Sequence, residues 1–197
     1  MINIAIIGAG KIAAVHADAV RRCERTNLTW ITNRTIEKAR VIAGPGVKVS
    51  ADAYEAINAP DVDAVIITTI TETHVEYILA AAKAGKAVLC EKPVDLDLDR
   101  ARNCLTQVDA VGGNVQIGFN RRYDPTILEI HERISTGEIG DLEQLTLISR
   151  DQLPPPLEYV PLSGGIFKDM MIHELDLARF FLGPIESIHA VGQNVVD

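Results

Sequence analysis

The chain has 197 residues, of which 47% are hydrophobic, 23% charged and 5% aromatic, values that belong to a globular protein and exclude a disordered or low-complexity one. Its 19 Lys and Arg stand against 27 Asp and Glu, a net charge of −8. Nucleic acid and anionic membrane surfaces call for the opposite excess, so neither is expected as a partner.

At about 150 residues per domain the length fits one domain and part of another. The apolar run Ile4–Ile7 lacks a basic flank and ends in glycines, which reads as a strand buried on both faces and not as a signal peptide. Lys11–Arg22 follows as a helix and Leu28–Thr32 as a second strand. Thr35 can cap a helix that runs to Ala43, stopped by Gly44-Pro45-Gly46. Val47–Val49 is a short strand, Ala64–Thr68 a central buried one, and His74–Ala84 a helix with Gly85 at C′. Ala87–Cys90, the helix Asp97–Val111 and the strand Val115–Ile117 continue the alternation. Such spacing predicts right-handed βαβ units and a parallel sheet over residues 1–120.

After Asn120 the rhythm changes. A helix is expected over Thr126–Ser135, a strand over Leu142–Ile148, a loop at Pro154–Pro156, a helix over Lys168–Leu182 and a strand over Ile185–Val196. Residues 121–197 therefore read as an α+β domain, one whose two strands leave open edges unless a further segment or a partner covers them. No apolar run approaches the ~18 residues that cross a bilayer. The odd cysteines Cys23, Cys90 and Cys104 contain no C-x-x-C pair, which suits buried thiols in a cytoplasmic, metal-free protein.

Gly8-Ala9-Gly10-Lys11-Ile12-Ala13 fits G-x-G-x-x-G/A between a strand and a helix. Gly8 permits the tight turn, Gly10 lets the backbone approach a pyrophosphate, and Ala13 lets helix pack on strand. The free N–H groups of the helix start favour an anion. At the end of the second strand, where NAD sites usually place a carboxylate, stands Asn33-Arg34-Thr35. A guanidinium welcomes a 2′-phosphate, and Lys11 could add a second cation, so NADP is expected ahead of NAD. The same two charges could instead be ordinary solvated ones.

Cys90-Glu91-Lys92-Pro93 ends the fifth strand on the ligand-binding edge of such sheets, where Lys92 would lie beside the nicotinamide; alternatively it is only a strand-ending turn. On one helix, Asp169, His173 and Asp176 fall at i, i+4 and i+7 within roughly 60° of arc, beside an apolar stripe. They suggest a cleft lining, with a solvated face as the alternative. Glu174 falls inside the apolar stripe, where no partner for it is evident.

Together with Gln116-Ile117-Gly118-Phe119-Asn120-Arg121-Arg122-Tyr123-Asp124 and the segment Ser163–His173, these motifs make the chain resemble the glucose–fructose oxidoreductase/inositol dehydrogenase (Gfo/Idh/MocA) family over its whole length, and within it the myo-inositol 2-dehydrogenases. The resemblance implies a Rossmann domain followed by the start of a substrate and oligomerisation domain, a homo-oligomer, and NAD(P)-dependent oxidation of a cyclitol. An aldose or other sugar dehydrogenase and a non-catalytic NAD(P)-binding regulator or fragment are the alternatives. It also implies Lys92, Asp169 and His173 as the catalytic set, with Arg121, Asp151 and Asp176 as polyol contacts. Cofactor contacts are expected at Gly8, Gly10, Lys11, Ile12, Ala13, Asn33, Arg34, Thr68, His74, Glu91 and Lys92. His173 suits the general base and Lys92 the donor to the substrate oxygen. Serving one hydroxyl, their side chains would lie within roughly 3–7 Å.

Overall fold

The computed structural model describes residues 1–193 and divides into two compact units, Met1–Gly118 and Phe119–Asp197. In the first, six strands form one parallel sheet: β1 (Ile2–Ile7), β2 (Thr26–Thr32), β3 (Lys48–Ser50), β4 (Ala64–Ile67), β5 (Ala87–Cys90) and β6 (Val115–Ile117). Their order is β3-β2-β1-β4-β5-β6, so the winding direction reverses between β1 and β4 and leaves a crevice at their C-terminal ends.

Alternation along β1 fills two cores, one on each face of the sheet. Ile4 and Ile6 pack with Ile31 and Ile66 against Ala13, Ala17 and Val20 of α1 (Lys11–Arg22) and Ala39 of α2 (Ile36–Ala43). Ala5 and Ile7 pack with Val65 and Ile67 against α3 (Ala53–Ile57), α4 (His74–Lys83) and α5 (Leu98–Ala110). The alanines on α1 let it lie close to the sheet. Ala13, the third small residue of the glycine motif, is fully buried there.

Several helix ends follow from capping. Asp52 accepts from the Tyr54 amide and Asp97 from the Arg100 amide, each satisfying an otherwise orphaned N–H. Thr35 stands at the N-cap of α2, but its side chain makes no capping bond. The short α3 and a 3₁₀ turn at Thr71–Thr73 are additions to the expected elements. Cys90 and Cys104 are buried, Cys23 is partly exposed, and none is in a disulfide.

The second unit opens with a 3₁₀ turn, Asn120–Tyr123, and α6 (Pro125–Ser135), whose N-cap Asp124 accepts from the Thr126 and Ile127 amides. It continues with α7 (Val160–Ser163), α8 (Gly165–Asp169) and α9 (Ile172–Leu182). Two expectations fail here. Neither Leu142–Ile148 nor residues 185–193 form a strand. A strand exists only through a ladder partner, and among the described residues neither segment has one. Residues 194–197 of the expected last strand lie outside the described residues. Among the described residues the regular elements of this unit are thus helical.

The expected single helix over Lys168–Leu182 is also broken. The Ile166 carbonyl accepts from both the Met170 and Met171 amides, closing α8, and His173 N donates to the Met170 carbonyl as α9 begins. Asp169 therefore ends one helix while His173 and Asp176 belong to the next, so Asp169 and His173 do not share one continuous helix. Among the described residues no helix is long and apolar enough to cross a membrane.

Candidate active site

The crevice between β1 and β4 is an open cleft of about 400 Å³. Its floor is the glycine turn. Gly8 N donates to the Thr32 carbonyl and Thr68 N to the Ile7 carbonyl, each at 2.8 Å, so the ends of β1, β2 and β4 are tied together. Gly8 has φ +107°, and a Cβ there would lie 2.8 Å from the Thr68 carbonyl oxygen, so both conformation and space require glycine. At Gly10 a Cβ would meet no protein atom within 4 Å. The room at Gly10 therefore opens outward, at the N-terminus of α1, where a pyrophosphate needs backbone access.

Asn33 and Arg34 from the end of β2, Lys38 from α2, and Thr73 and Tyr77 also line the cleft, and no lining residue is acidic. Asn33 Nδ2 donates to the Thr35 carbonyl at 2.9 Å. Burial, with the Glu76 carboxylate, holds the Tyr77 hydroxyl above its ordinary range, and the Arg34 guanidinium partly offsets this. Of the expected cofactor residues, Gly8, Gly10, Asn33, Arg34 and Thr68 line the cleft. Lys11 and Ile12 are exposed outside that lining, and Ala13 is core. Lys38, which the sequence reading did not single out, lines the cleft; its position in the first turn of a helix beginning just after Arg34 was the available signal.

At the end of β5, Glu91 accepts from or pairs with His16 on α1, Oε1 to Nε2 at 2.7 Å. Burial would raise the Glu91 carboxyl, but the His16 hydrogen bond and charge, with Lys92, hold it below the ordinary glutamate range. Gly118 makes room for it: a Cβ there would lie 3.1 Å from Glu91 Oε2. Lys92 is half-buried and joined to Pro93 by a cis peptide. His16 was missed, although it sits with Ala13, Ala17 and Val20 in the helix's inward stripe, where a histidine is a signal in itself. His74 is fully buried, its ring bonded to the carbonyls of Pro93 and Thr69.

Within the second unit, Arg122 makes a two-point pair with Asp176, at 2.8 and 2.6 Å, and the Asp176 carboxylate pushes the Arg122 guanidinium up. Arg121 pairs with Glu174, which explains a carboxylate in an apolar stripe. Burial would raise Glu174, but Arg121 holds it down. Asp169 accepts from the Tyr159 hydroxyl at 3.1 Å. His173 lies edge-on to Phe119, with centroids 6.5 Å apart. Asp151 is exposed in the loop between α6 and α7.

Residues 2–119 match the oxidoreductase family with an NAD-binding Rossmann fold, Gfo/Idh/MocA, and residues 127–197 match the Gfo/Idh/MocA C-terminal domain. The chain belongs to this family. It is 45% identical over 200 residues to an inositol 2-dehydrogenase of Rhizobium meliloti, covering 100% of this chain and 60% of that relative. A myo-inositol dehydrogenase structure from Corynebacterium glutamicum is 42% identical with TM-score 0.88, covering 92% of this chain and 55% of that one. A scyllo-inositol dehydrogenase from Lactobacillus casei, solved with NAD(H) and scyllo-inositol, is 26% identical with TM-score 0.77, covering 93% and 56%. The chain thus spans somewhat more than half the length of these relatives.

Proposed function

We propose that the protein oxidises a secondary alcohol of a cyclitol, myo-inositol first, with a nicotinamide dinucleotide held in the cleft between β1 and β4. The observation that carries this reading is the cleft itself: a glycine turn with space above Gly10, at the switch point of a family Rossmann sheet. Gly8 to Gly10 and the start of α1 would hold the pyrophosphate, with Asn33 and Arg34 at the adenosine ribose. The bound cofactor supplies the hydride acceptor.

The protein's part is proton transfer and charge stabilisation. Lys92 donates to the substrate oxygen and steadies alkoxide charge as it develops. His173 removes the hydroxyl proton. Asp169 and Arg121 hold neighbouring hydroxyls.

We further infer that NADP is preferred over NAD, because Arg34 and Lys38 face a cleft wall without a carboxylate. Self-association of the whole protein is inferred from the family resemblance.

A panel of cyclitols and aldoses, offered with both cofactors to the full-length gene product, tests the reading. Turnover of myo-inositol above the aldoses is expected. Aldose oxidation without cyclitol oxidation, or no turnover with either class, contradicts it.

A further inference from the structure

Two loops at the C-terminal edge of the sheet are held by one buried ring. His74, the first residue of α4, is 1% exposed. Its Nδ1 lies 2.8 Å from the Pro93 carbonyl oxygen and its Nε2 3.1 Å from the Thr69 carbonyl oxygen. Thr69 lines the cleft, and Pro93 closes the Glu91-Lys92-Pro93 turn. Carbonyl oxygens only accept, so N–H donation from the ring is what holds each loop; a neutral imidazole carries one N–H and an imidazolium two.

The turn is therefore pinned on both sides of Lys92. The Glu91 carboxylate is fixed to α1 through His16, and the Pro93 carbonyl to α4 through His74. His74 itself stands outside the cleft lining, so a direct cofactor contact, as expected from the sequence, is not what its geometry offers.

We propose that His74 is a positioning residue that sets the Glu91-Lys92-Pro93 turn against the Thr68–Ile70 loop, and so fixes where Lys92 meets the nicotinamide end of the cofactor. This rests on the cofactor and Lys92 assignments made above.

The test compares dinucleotides with their fragments. NADPH and NADH, and 2′-phospho-ADP-ribose and ADP-ribose, are titrated calorimetrically into the wild-type chain and three variants. His74→Asn keeps a donor near the Nδ1 position and so the bond to Pro93. His74→Gln keeps one near the Nε2 position, toward Thr69, and His74→Phe keeps neither. Losing the buried hydrogen bond to Pro93, which both variants lack, predicts about a five- to tenfold loss of dinucleotide affinity in His74→Phe and His74→Gln. The fragments, which lack the nicotinamide, should change by less than about twofold, and His74→Asn should stay close to wild type.

Should His74→Phe fail to fold, the Asn and Gln variants, both polar and differing in the loop they reach, carry the comparison. Equal losses for dinucleotide and fragment, or an Asn variant no better than Gln, would overturn the proposal. A wild type that binds neither dinucleotide would overturn the cofactor reading beneath it.

Discussion

His16 and Glu91, seventy-five positions apart, meet at 2.7 Å and join the helix behind the glycine turn to the end of β5. Both side chains are about 20% exposed, so the hydrogen-bonded pair is partly shielded from solvent. Its consequence is a fixed carboxylate next to Lys92.

A pH dependence follows. The folded-state pKa of Glu91 is lowered from 4.5, so its contribution to stability is present above that value and lost as pH falls through the lower folded value. Glu91→Gln should be less stable than wild type at neutral pH, and the gap should close in acid. Denaturant titrations across that range check this; a gap that is constant with pH would be inconsistent with it.

Gly8 should tolerate no side chain. The left-handed φ and the 2.8 Å approach to the Thr68 carbonyl together predict that Gly8→Ala loses about 2 kcal/mol or more of stability. A melt unchanged from wild type would show that the turn can relax.

Arg34 and Lys38 should act on NADPH alone. Arg34→Ala or Lys38→Ala is expected to weaken NADPH binding about tenfold, or ~1.4 kcal/mol, and to leave NADH nearly unaffected. Fluorescence titration of each variant reads both numbers. Equal weakening of the two cofactors would place these cations away from the 2′ position.

Asp176, expected as a polyol contact, has both of its oxygens engaged by Arg122, which predicts a structural contribution from the pair. Asp176→Asn should destabilise by about 1–2 kcal/mol, the value for a charged hydrogen bond reduced by the partial exposure of Arg122. Chemical denaturation measures it, and a neutral effect would return Asp176 to the candidate contacts.

The first unit was legible because each of its signals is local. The run before Gly8, the small residues at Ala13 and Ala17, and the glycine after α4 fix strand, helix and stop without help from distant chain, and α1 was bounded correctly at Lys11 and Arg22. The second unit was less so. Leu142–Ile148 alternates like a strand, but alternation supplies a face and not a ladder partner. The break between α8 and α9 falls at Met170-Met171, good helix formers with no glycine or proline to announce it. Glu174 looked misplaced on a helical wheel because its partner, Arg121, lies fifty-three positions away. His16, Lys38 and Tyr77 were missed for a similar reason: the cleft and the Glu91 contact are made by chain topology.

Whether the space above Gly10 receives a dinucleotide is decided by one substitution. A Cβ at Gly10 would meet no protein atom within 4 Å beyond its chain neighbours, so Gly10→Val, which branches from that open position, should leave the fold and its melting temperature nearly unchanged while filling the room a pyrophosphate needs. Titrating NADPH and NADH into wild type and Gly10→Val, with melting curves of both, should give saturable binding to the wild type and at least a tenfold loss in the variant, ~1.4 kcal/mol or more. Undiminished binding to a well-folded Gly10→Val would contradict the account.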